Sequence, residues 1–245
     1  LIDISILNRF INGELEKKFT DKVTFDQIVY IRSTHSTKTT STVQCSKPIQ
    51  YDFKKKESKK SIEYFLKNIF RKQNFREGQY EIIKRALEHK NVIALLPTGA
   101  GKSLTYQLST LLQPGVSIII DPLKSLMKDQ NDSLNSIAID KTTFINSSVR
   151  SVIERENRSM EMVDGHYQFI FISPERMQIS EFREYLMKMS NTRFSYAVVD
   201  EAHCVSEWGH DFRTTYLSLG ENLTKFCKTY LDNITIMGLT GTASF

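Results

Sequence analysis

Cysteine is scarce in this sequence, and long hydrophobic runs are absent. The three cysteines, Cys45, Cys204 and Cys227, are scattered and odd in number. They provide neither a disulfide framework nor the paired spacing of a zinc site, and they favour a reducing compartment. No apolar run approaches the length of a membrane span, and no signal peptide is visible. We therefore expect a reducing interior and no membrane association.

The sequence also lacks an internal repeat and a large excess of one charge. Its 245 residues carry a formal net charge of +5 and are 40% hydrophobic. That length and composition suffice for one large domain, or for a domain with an extension. The positive charge is compatible with a polyanionic partner but does not demonstrate one. The chain opens on Leu1 rather than Met, so we expect an excerpt of a longer protein or a processed one.

A glycine-containing turn between a predicted strand and a predicted helix is the strongest local signal. The turn itself reads Pro97-Thr98-Gly99-Ala100-Gly101-Lys102-Ser103. Backbone N–H groups that converge at a helix N-terminus suit a polyphosphate. Lys102 would supply a cation for the β- and γ-phosphates, and the Ser103 hydroxyl would ligate Mg²⁺. The strict P-loop pattern requires Gly where this chain has Leu96, and an ordinary glycine turn is the alternative.

Apolar strands alternate with helical patterns along most of the chain. This alternation predicts an α/β fold, a mostly parallel sheet with helices on both faces and its active edge at the carboxyl ends of the strands. The predicted strands cover 92–96, 116–120, 142–145, 167–172, 196–199 and 234–239. The predicted helices cover 61–72, 80–87, 104–112, 122–134, 149–162, 182–189 and 217–231.

The first 50 residues differ in composition from the rest. Residues 33–46 are rich in Ser and Thr, and a lysine-rich run follows at 54–60, which is typical of a solvated face. A composition shift of this kind marks a domain boundary, which we place between about 45 and 60. We therefore divide the chain into an unassigned extension, residues 1–50, and a main domain, residues 51–245, which carries the glycine-containing turn.

Two acids at the end of a predicted strand complete the candidate nucleotide site. Asp200 would hold the Mg²⁺ shell, and Glu201 would orient and deprotonate the attacking water. A lone Asp-Glu pair after a strand is more often a solvated strand end, but a P-loop earlier in the same α/β pattern makes the pair informative. His203 is either a structural histidine or a catalytic residue that joins the site to neighbouring segments.

The order of the motifs resembles superfamily 2 helicases and, more narrowly, the RecQ family. Asp200-Glu201-Ala202-His203 resembles the DEAH box of the superfamily. The other matching segments are 75–79 with the family's glutamine, 122–130, 173–176, the aromatic-rich 204–213, and 239–243. Coverage runs from about residue 62 to the C-terminus. The resemblance implies a RecA-like P-loop lobe with motifs 0 to III that binds ATP and Mg²⁺.

The chain departs from the family pattern at a few positions. Thr214 and Thr215 stand where the family usually has Pro and an acid. Gly238 and Gly241 stand where Ala is more usual, which we expect to loosen the last motif. The family's second RecA-like lobe, with its arginine finger, is absent from these residues, so we expect it elsewhere in the same polypeptide as a partner of this lobe.

The resemblance also implies how individual residues contact the nucleotide. The Gln79 amide could pair with adenine N6 and N7 and so select ATP over GTP, whereas a surface glutamine is the alternative. Arg76 could stack on the base or contact phosphate. The phosphate cradle would comprise Thr98, Gly99, Ala100, Gly101, Lys102 and Ser103.

Other matched positions would contact single-stranded or partly duplex DNA. Trp208 and Phe212 would stack on bases, with His210 and Arg213 nearby, unless the two rings form a core pair. Ser125, Lys128 and Arg176 would bind the strand backbone without regard to sequence. The leading hypothesis is the motor lobe of a 3′-to-5′ DNA helicase. A DNA-dependent ATPase that does not unwind, and a nucleotide-gated binding module, are the alternatives.

Overall fold

Parallel strands form one sheet in the part of the chain that the computed structural model describes, residues 47–54, 57–147, 149, 151–190, 192–204 and 215–241. The strands are β1 (Val92–Leu95), β2 (Val116–Ile120), β3 (Thr142–Ile145), β4 (Phe169–Ile172), β5 (Phe194–Val199) and β6 (Thr235–Thr240). Their spatial order is β1-β6-β5-β2-β4-β3, and every neighbouring pair is parallel. The mostly parallel sheet expected from the sequence is therefore confirmed.

Helices connect the strands and cover both faces of the sheet. They are α1 (Glu57–Phe70), α2 (Gln79–Leu87), α3 (Lys102–Leu111), α4 (Lys124–Ser136), α5 (Val152–Val163), α6 (Ser180–Lys188) and α7 (Leu219–Phe226), with a 3₁₀ helix at Pro174–Gln178. None of the helices in these described residues has the length and hydrophobicity that a membrane crossing needs.

Each face of the sheet has its own hydrophobic core. Helices α1 to α4 pack on one face through side chains such as Ile83 and Leu108. Helices α5 to α7 pack on the other through side chains such as Leu186 and Leu223. Every residue of β2 is buried because its side chains alternate between the two cores. Continuous apolar runs are the signature of such central strands, which is why the sequence located β2 to the residue.

Strand β1 lies at an edge of the described sheet and is buried on one side only. Val92 and Ala94 face the core of α1 to α4. Ile93 is 88% exposed and Leu95 is 55% exposed. The apolar run at 92–96 therefore forms a strand that is buried on one face only, because the other described helices pack further along the sheet, over β3, β4, β2 and β5.

Helix α7 is shorter than its apolar pattern predicts. The sequence indicated a mostly helical stretch over 217–231, but the helix runs from Leu219 to Phe226. The backbone carbonyl of Lys228 accepts a hydrogen bond from the Phe194 N–H at 2.8 Å. This bond holds the segment beside the start of β5, where the chain cannot continue as a helix and still enter β6.

The residues just before α1 pack on the lobe. Ile49 is buried, and its backbone N–H and C=O both bond to the side-chain amide of Gln113, at 2.9 Å each. Ile49 therefore belongs to the core of the lobe, although the sequence placed it at the end of the extension. The division of the chain at residue 50 stays a prediction, and residues 1–46 lie outside the described part of the chain.

Candidate active site

The P-loop turn joins β1 to α3 and depends on two glycines in the left-handed region. Gly99 and Gly101 both have φ near 80°, and Gly101 is the N-cap of α3. A Cβ on Gly101 would also lie 2.8 Å from Gln79 Nε2, so a side chain there would be both strained and crowded. Leu96, which replaces the usual glycine, is buried in the core beneath the turn. The loop therefore keeps its shape with a hydrophobic anchor at that position.

Lys102 and Glu201 meet at this edge of the sheet. Lys102 begins α3, and Glu201 follows β5 by two residues. Their Nζ and Oε1 atoms are 3.1 Å apart, and both side chains are largely buried. The backbone of Glu201 has φ 48°, which is uncommon for a residue with a side chain and is typical of functional sites. The structure therefore brings together the cation and the acid that the sequence predicted as catalytic.

His203 links Glu201 to the end of β6. Its Nδ1 atom lies 2.8 Å from the Thr240 hydroxyl and 3.3 Å from Glu201 Oε2. Glu201 is thus held by Lys102 at one carboxylate oxygen and by His203 at the other. A structural histidine with satisfied ring nitrogens would make the same contacts, so the joining role of His203 stays a prediction.

Asp200 is buried at the end of β5. Its Oδ1 accepts the Glu201 N–H at 2.9 Å, and only 4% of its surface is exposed. Burial raises the pKa of the Asp200 carboxyl, and the Glu201 charge adds to that increase, whereas Lys102 opposes it. A positive ion at this site would stabilise the ionised form that burial disfavours.

Asp121 is a second buried acid beside Asp200, and sequence reasoning missed it. Ile120 of β2 pairs with Val199 of β5, so the residues that follow them are neighbours. Asp121 Oδ1 accepts the Leu123 N–H at 2.8 Å. Burial raises the Asp121 pKa to about 7, the Leu123 bond opposes the increase, and the Asp200 charge adds to it. The only sequence signal was an acid at the end of an apolar strand.

The donor atoms at this edge fit Mg²⁺ in combination with phosphate oxygens. The described residues contain no cluster of three or more His, Cys, Asp or Glu side chains that could hold a metal alone. Mg²⁺ ordinarily takes one or two carboxylates, waters and substrate phosphates. The second carboxylate oxygen of Asp200 has no hydrogen-bond partner among the described residues. Asp200 and the Ser103 hydroxyl are therefore suitable ligands, and no all-protein cage is needed.

Gln79 and Arg76 connect the segment 75–79 to the P-loop through hydrogen bonds. Gln79 Oε1 accepts the Arg76 N–H at 2.9 Å, and Nε2 donates to the carbonyls of Ala100 and Gly101 at 2.8 and 3.1 Å. The Arg76 guanidinium donates to the Gly99 carbonyl. Gln79 is 2% exposed, so the surface-glutamine alternative is wrong. Pairing with adenine stays a prediction, and it requires the amide to exchange these bonds.

Gly241 leaves space for the Lys102 ammonium group. A Cβ on Gly241 would lie 2.7 Å from Lys102 Nζ and 3.2 Å from Thr98 Oγ1. A Cβ on Gly238 would meet nothing closer than 3.6 Å. The two departures from the usual alanines therefore differ in consequence, because only the one at Gly241 affects the position of Lys102, a predicted catalytic residue.

Three of the residues predicted to bind DNA lie at the same edge, over β2 and β4. Ser125 and Lys128 are exposed on α4, and Lys128 pairs with Asp132 at 3.2 Å. Arg176 belongs to the 3₁₀ helix after β4 and lines a cavity of about 350 Å³ together with Arg155. Trp208, His210, Phe212 and Arg213 lie outside the described residues, so both interpretations of the aromatic segment stay predictions.

Comparison with known proteins gives one family and a consistent set of relatives. The family model described as DEAD/DEAH box helicase matches residues 76–244. The chain is 37% identical to the ATP-dependent DNA helicase RecQ of Haemophilus influenzae over 74% of its length, and 36% identical to the ATP-dependent DNA helicase Q1 of Rattus norvegicus over 75%. It is 38% identical to the probable ATP-dependent DNA helicase RecS of Bacillus subtilis over 75%. These matches cover 28%, 29% and 35% of the respective relatives.

Solved structures confirm the RecA-like fold. The crystal structure of the DUF1998 helicase MrfA bound to DNA and AMPPNP matches 83% of this chain and 28% of its own chain, with a TM-score of 0.59 and 17% identity. The Pyrococcus furiosus Hef helicase domain matches 73% of this chain and 35% of its own, with a TM-score of 0.53 and 19% identity. At these identities the likeness concerns the fold alone.

Proposed function

The chain belongs to the DEAD/DEAH box helicase family, and we propose that it is the ATP-binding motor lobe of a RecQ-like DNA helicase. In this proposal the lobe binds ATP and Mg²⁺ and couples hydrolysis to 3′-to-5′ movement along single-stranded DNA. The chain spans about three tenths of the length of the curated relatives it matches, so the activity belongs to a longer protein. Its location would be the cytoplasm or nucleoid, or the nucleus of a eukaryote.

The observation that carries the proposal is the meeting of Lys102 with Glu201 at 3.1 Å. Ninety-nine residues separate them in the chain, and the fold brings them to one edge beside the P-loop. An incoming polyphosphate would take the Lys102 ammonium from Glu201 through charge-assisted contacts. Glu201 would then be free to accept a proton from the attacking water. Bound Mg²⁺ would supply charge neutralisation at the phosphates, with Asp200 and Ser103 holding it.

His203 would keep Glu201 oriented once Lys102 has moved. Its Nδ1 atom lies within reach of both Glu201 Oε2 and the Thr240 hydroxyl. Thr240 ends β6, and the chain that follows it carries the last motif. His203 would therefore transmit a change in that segment to the catalytic acid, which is a positioning role.

DNA binding is supported by the position of Ser125, Lys128 and Arg176. The elements that carry them follow β2 and β4, which are neighbours in the sheet. Hydroxyl and cationic side chains at one edge suit a phosphate backbone and give binding that is independent of sequence. The MrfA structure, which has the same fold, is of a complex with DNA and AMPPNP.

A second lobe of the same polypeptide would complete the site. Hydrolysis needs a cation on the γ-phosphoryl group in the transition state, and an arginine finger typically contributes about 10³–10⁵ in rate. The 245 residues alone should therefore bind ATP and Mg²⁺ weakly and hydrolyse ATP very slowly. Robust DNA-stimulated turnover by these residues alone would show that the site is complete without a second lobe.

The proposal is tested with the full-length protein, single-stranded DNA, and duplexes that carry a 3′ or a 5′ tail. We expect DNA-stimulated ATPase and unwinding of the 3′-tailed duplex, both lost in Glu201→Gln. Stimulated turnover without unwinding would instead identify a DNA-dependent ATPase. Nucleotide-dependent DNA binding without turnover would identify a nucleotide-gated binding module.

A second experiment tests the coupling expected from the aromatic segment. If Trp208 stacks on a base, Trp208→Ala should lose about 1–3 kcal/mol of single-strand affinity. DNA stimulation of the ATPase should fall further, even at saturating DNA. If Trp208 is a core residue, the variant should instead lose about 3–5 kcal/mol of stability. A melting temperature and a stimulated ATPase rate from one preparation decide between the two interpretations.

A further inference from the structure

Two buried carboxyl groups lie side by side at the ends of β2 and β5. The backbone N–H of Asp200 donates to the Ile120 carbonyl at 2.9 Å, so Asp200 and Asp121 extend neighbouring strands in register. Asp121 is 1% exposed and Asp200 is 4% exposed. Adjacent parallel strands are about 4.8 Å apart. Their carboxyl groups therefore share one small region beneath the nucleotide site.

Each carboxyl group uses one oxygen in a bond to the backbone and leaves the other available. Asp200 Oδ1 accepts the Glu201 N–H, and Asp121 Oδ1 accepts the Leu123 N–H. Among the described residues, the second oxygens have no hydrogen-bond partner. A buried ionised acid with a free oxygen is costly unless a cation, a bound water or a proton completes it.

Both carboxyl groups follow the last residues of their strands and therefore lie at the carboxyl edge of the sheet, where α3 begins after the P-loop. The charges of Asp200 and Asp121 contribute to the raised pKa of Tyr106 in α3 and to that of Tyr216, which packs in the core of α5 to α7. Glu201 also acts on Asp121. Asp121 therefore belongs to the same electrostatic environment as the proposed Mg²⁺ acids.

We propose that Asp121 is a further acid of the Mg²⁺ site, one that holds a water of the ion's coordination shell through its free carboxylate oxygen. Asp200 would be the acid nearer the ion, and Asp121 would hold the shell from the β2 side. This inference rests on the proposed function, because it assumes a nucleotide-bound cation at Asp200. Outer-shell partners of this kind typically contribute 10–100-fold to metal affinity.

A second consequence concerns α4, which carries Ser125 and Lys128. The Asp121 carboxylate accepts the Leu123 N–H, and Leu123 is the N-cap of α4. One side chain would therefore contact the shell of the ion with one oxygen and the start of a predicted DNA-binding helix with the other. The simpler interpretation is that Asp121 only caps α4, and the experiment must separate the two.

The test measures metal affinity rather than activity. Full-length protein is stripped of divalent cations, saturated with ADP, and titrated with Mn²⁺, whose free fraction is followed by electron paramagnetic resonance. Asp121→Asn retains an oxygen that can accept the Leu123 N–H, so a helix cap alone would survive the substitution. We expect Mn²⁺ affinity about tenfold weaker in this variant, with an unchanged or higher melting temperature in the absence of metal. Asp164→Asn, an exposed acid that follows α5, is the control for the loss of one charge.

The result that would contradict this inference differs from the result that would contradict the proposed function. If Asp121 contributes nothing to the shell, Asp121→Asn should change the Mn²⁺ affinity no more than the control Asp164→Asn does. That result overturns the inference while leaving the proposed function intact. Should Asp121→Asn fail to fold, Asp121→Ser keeps a hydroxyl acceptor and must show the same loss. A parent protein that binds no Mn²⁺ in the presence of ADP contradicts both proposals.

Discussion

The two ends of the sheet's active edge hold their functional side chains in different ways. Over β1, β6 and β5, the residues expected to bind ATP already bond to one another, as Lys102 does to Glu201 and Glu201 to His203. Over β2 and β4, Lys128 is exposed and pairs only with its helical neighbour Asp132 among the described residues. ATP must therefore displace protein contacts, whereas DNA would meet groups that are already solvated. Substitutions at the first end should affect stability and function together, and those at the second should affect binding alone.

The largest effects that we expect are at Lys102 and Glu201, the ion pair beside the P-loop, and they differ between the two residues. In the full-length protein, Glu201→Gln should keep nucleotide affinity within a few-fold and reduce turnover by about 10²–10⁴ through loss of the base. Lys102→Ala removes a charge-assisted contact to phosphate and should weaken ATP binding by roughly 10- to 100-fold. Fluorescent-nucleotide titration and steady-state ATPase rates measure both. Identical ATP titrations for the two variants and the parent would contradict this division of roles.

The next largest effect is a pH dependence that arises at Asp121, the acid between the two ends. Its pKa is about 7 in the folded state and about 3.9 in an unfolded chain. Between these values the folded protein holds a proton that the unfolded chain has released, so stability falls as pH rises from about 4 to about 7. Asp121→Asn has no carboxyl group to titrate, so its stability does not fall in this way. Its free energy of unfolding, compared with that of the parent, should therefore increase across that interval by up to about 4 kcal/mol.

Urea unfolding in the presence of EDTA, at several pH values from 5 to 8, measures this difference. Asp164→Asn serves again as the control, because its exposed carboxyl should give a difference that does not change with pH. A constant difference between Asp121→Asn and the parent would show that the Asp121 carboxyl is ionised throughout this range.

A smaller effect is expected at Gln79, which ties α2 to the P-loop. Gln79→Ala removes the acceptor for the Arg76 N–H and the donor to the carbonyls of Ala100 and Gly101. Buried groups left without partners cost about 1–3 kcal/mol, so thermal or urea unfolding should reveal a clear loss of stability. Gln50→Ala, at an exposed position, should change stability by less than about 0.5 kcal/mol. Equal stability of the two variants would contradict a structural role for the Gln79 amide.

The smallest effect on stability is expected at Lys128. Its exposed pair with Asp132 contributes about 0.3–0.5 kcal/mol, so Lys128→Ala should unfold almost like the parent. If Lys128 contacts a phosphate, the variant should bind single-stranded DNA more weakly. The slope of log affinity against log salt concentration should also become shallower by about one. Lys188→Ala removes the same charge at the end of α6, on the opposite edge. Equal salt slopes for these two variants would remove Lys128 from the DNA contact.

The sequence was sufficient for features that depend on neighbouring residues. The run 116–120 predicts β2 to the residue because a strand buried on both faces must be apolar throughout. The P-loop could be predicted equally well, because its glycines and its Lys-Ser pair have fixed spacing. Even so, a local pattern does not report where a strand lies in the sheet, so the exposure of Ile93 could not be predicted.

Features that depend on distant pairing were not visible in the sequence. Asp121 followed by Pro122 indicated only the end of a strand, and the register of Ile120 with Val199 is what places it beside Asp200. The end of α7 was missed for the same reason, because the bond between Lys228 and Phe194 is a tertiary contact. The sequence predicted Gln79 as part of the site, but its bonds to the P-loop carbonyls became visible only in the structure.

The position of β1 in the sheet has a consequence for how the protein is made. Within the described residues, β1 has one strand neighbour, β6, and the Asn91 side chain just before β1 bonds to the Ile236 N–H, 145 residues later. A ribosome that adds about 5–20 residues per second would take roughly 7–30 s to synthesise the partner strand. During that interval the nascent chain would carry the P-loop and the exposed side chain of Ile93 without their sheet. Synthesis speed and chaperone access should therefore influence the yield of this lobe more strongly than they would in a fold whose first strand pairs with the second.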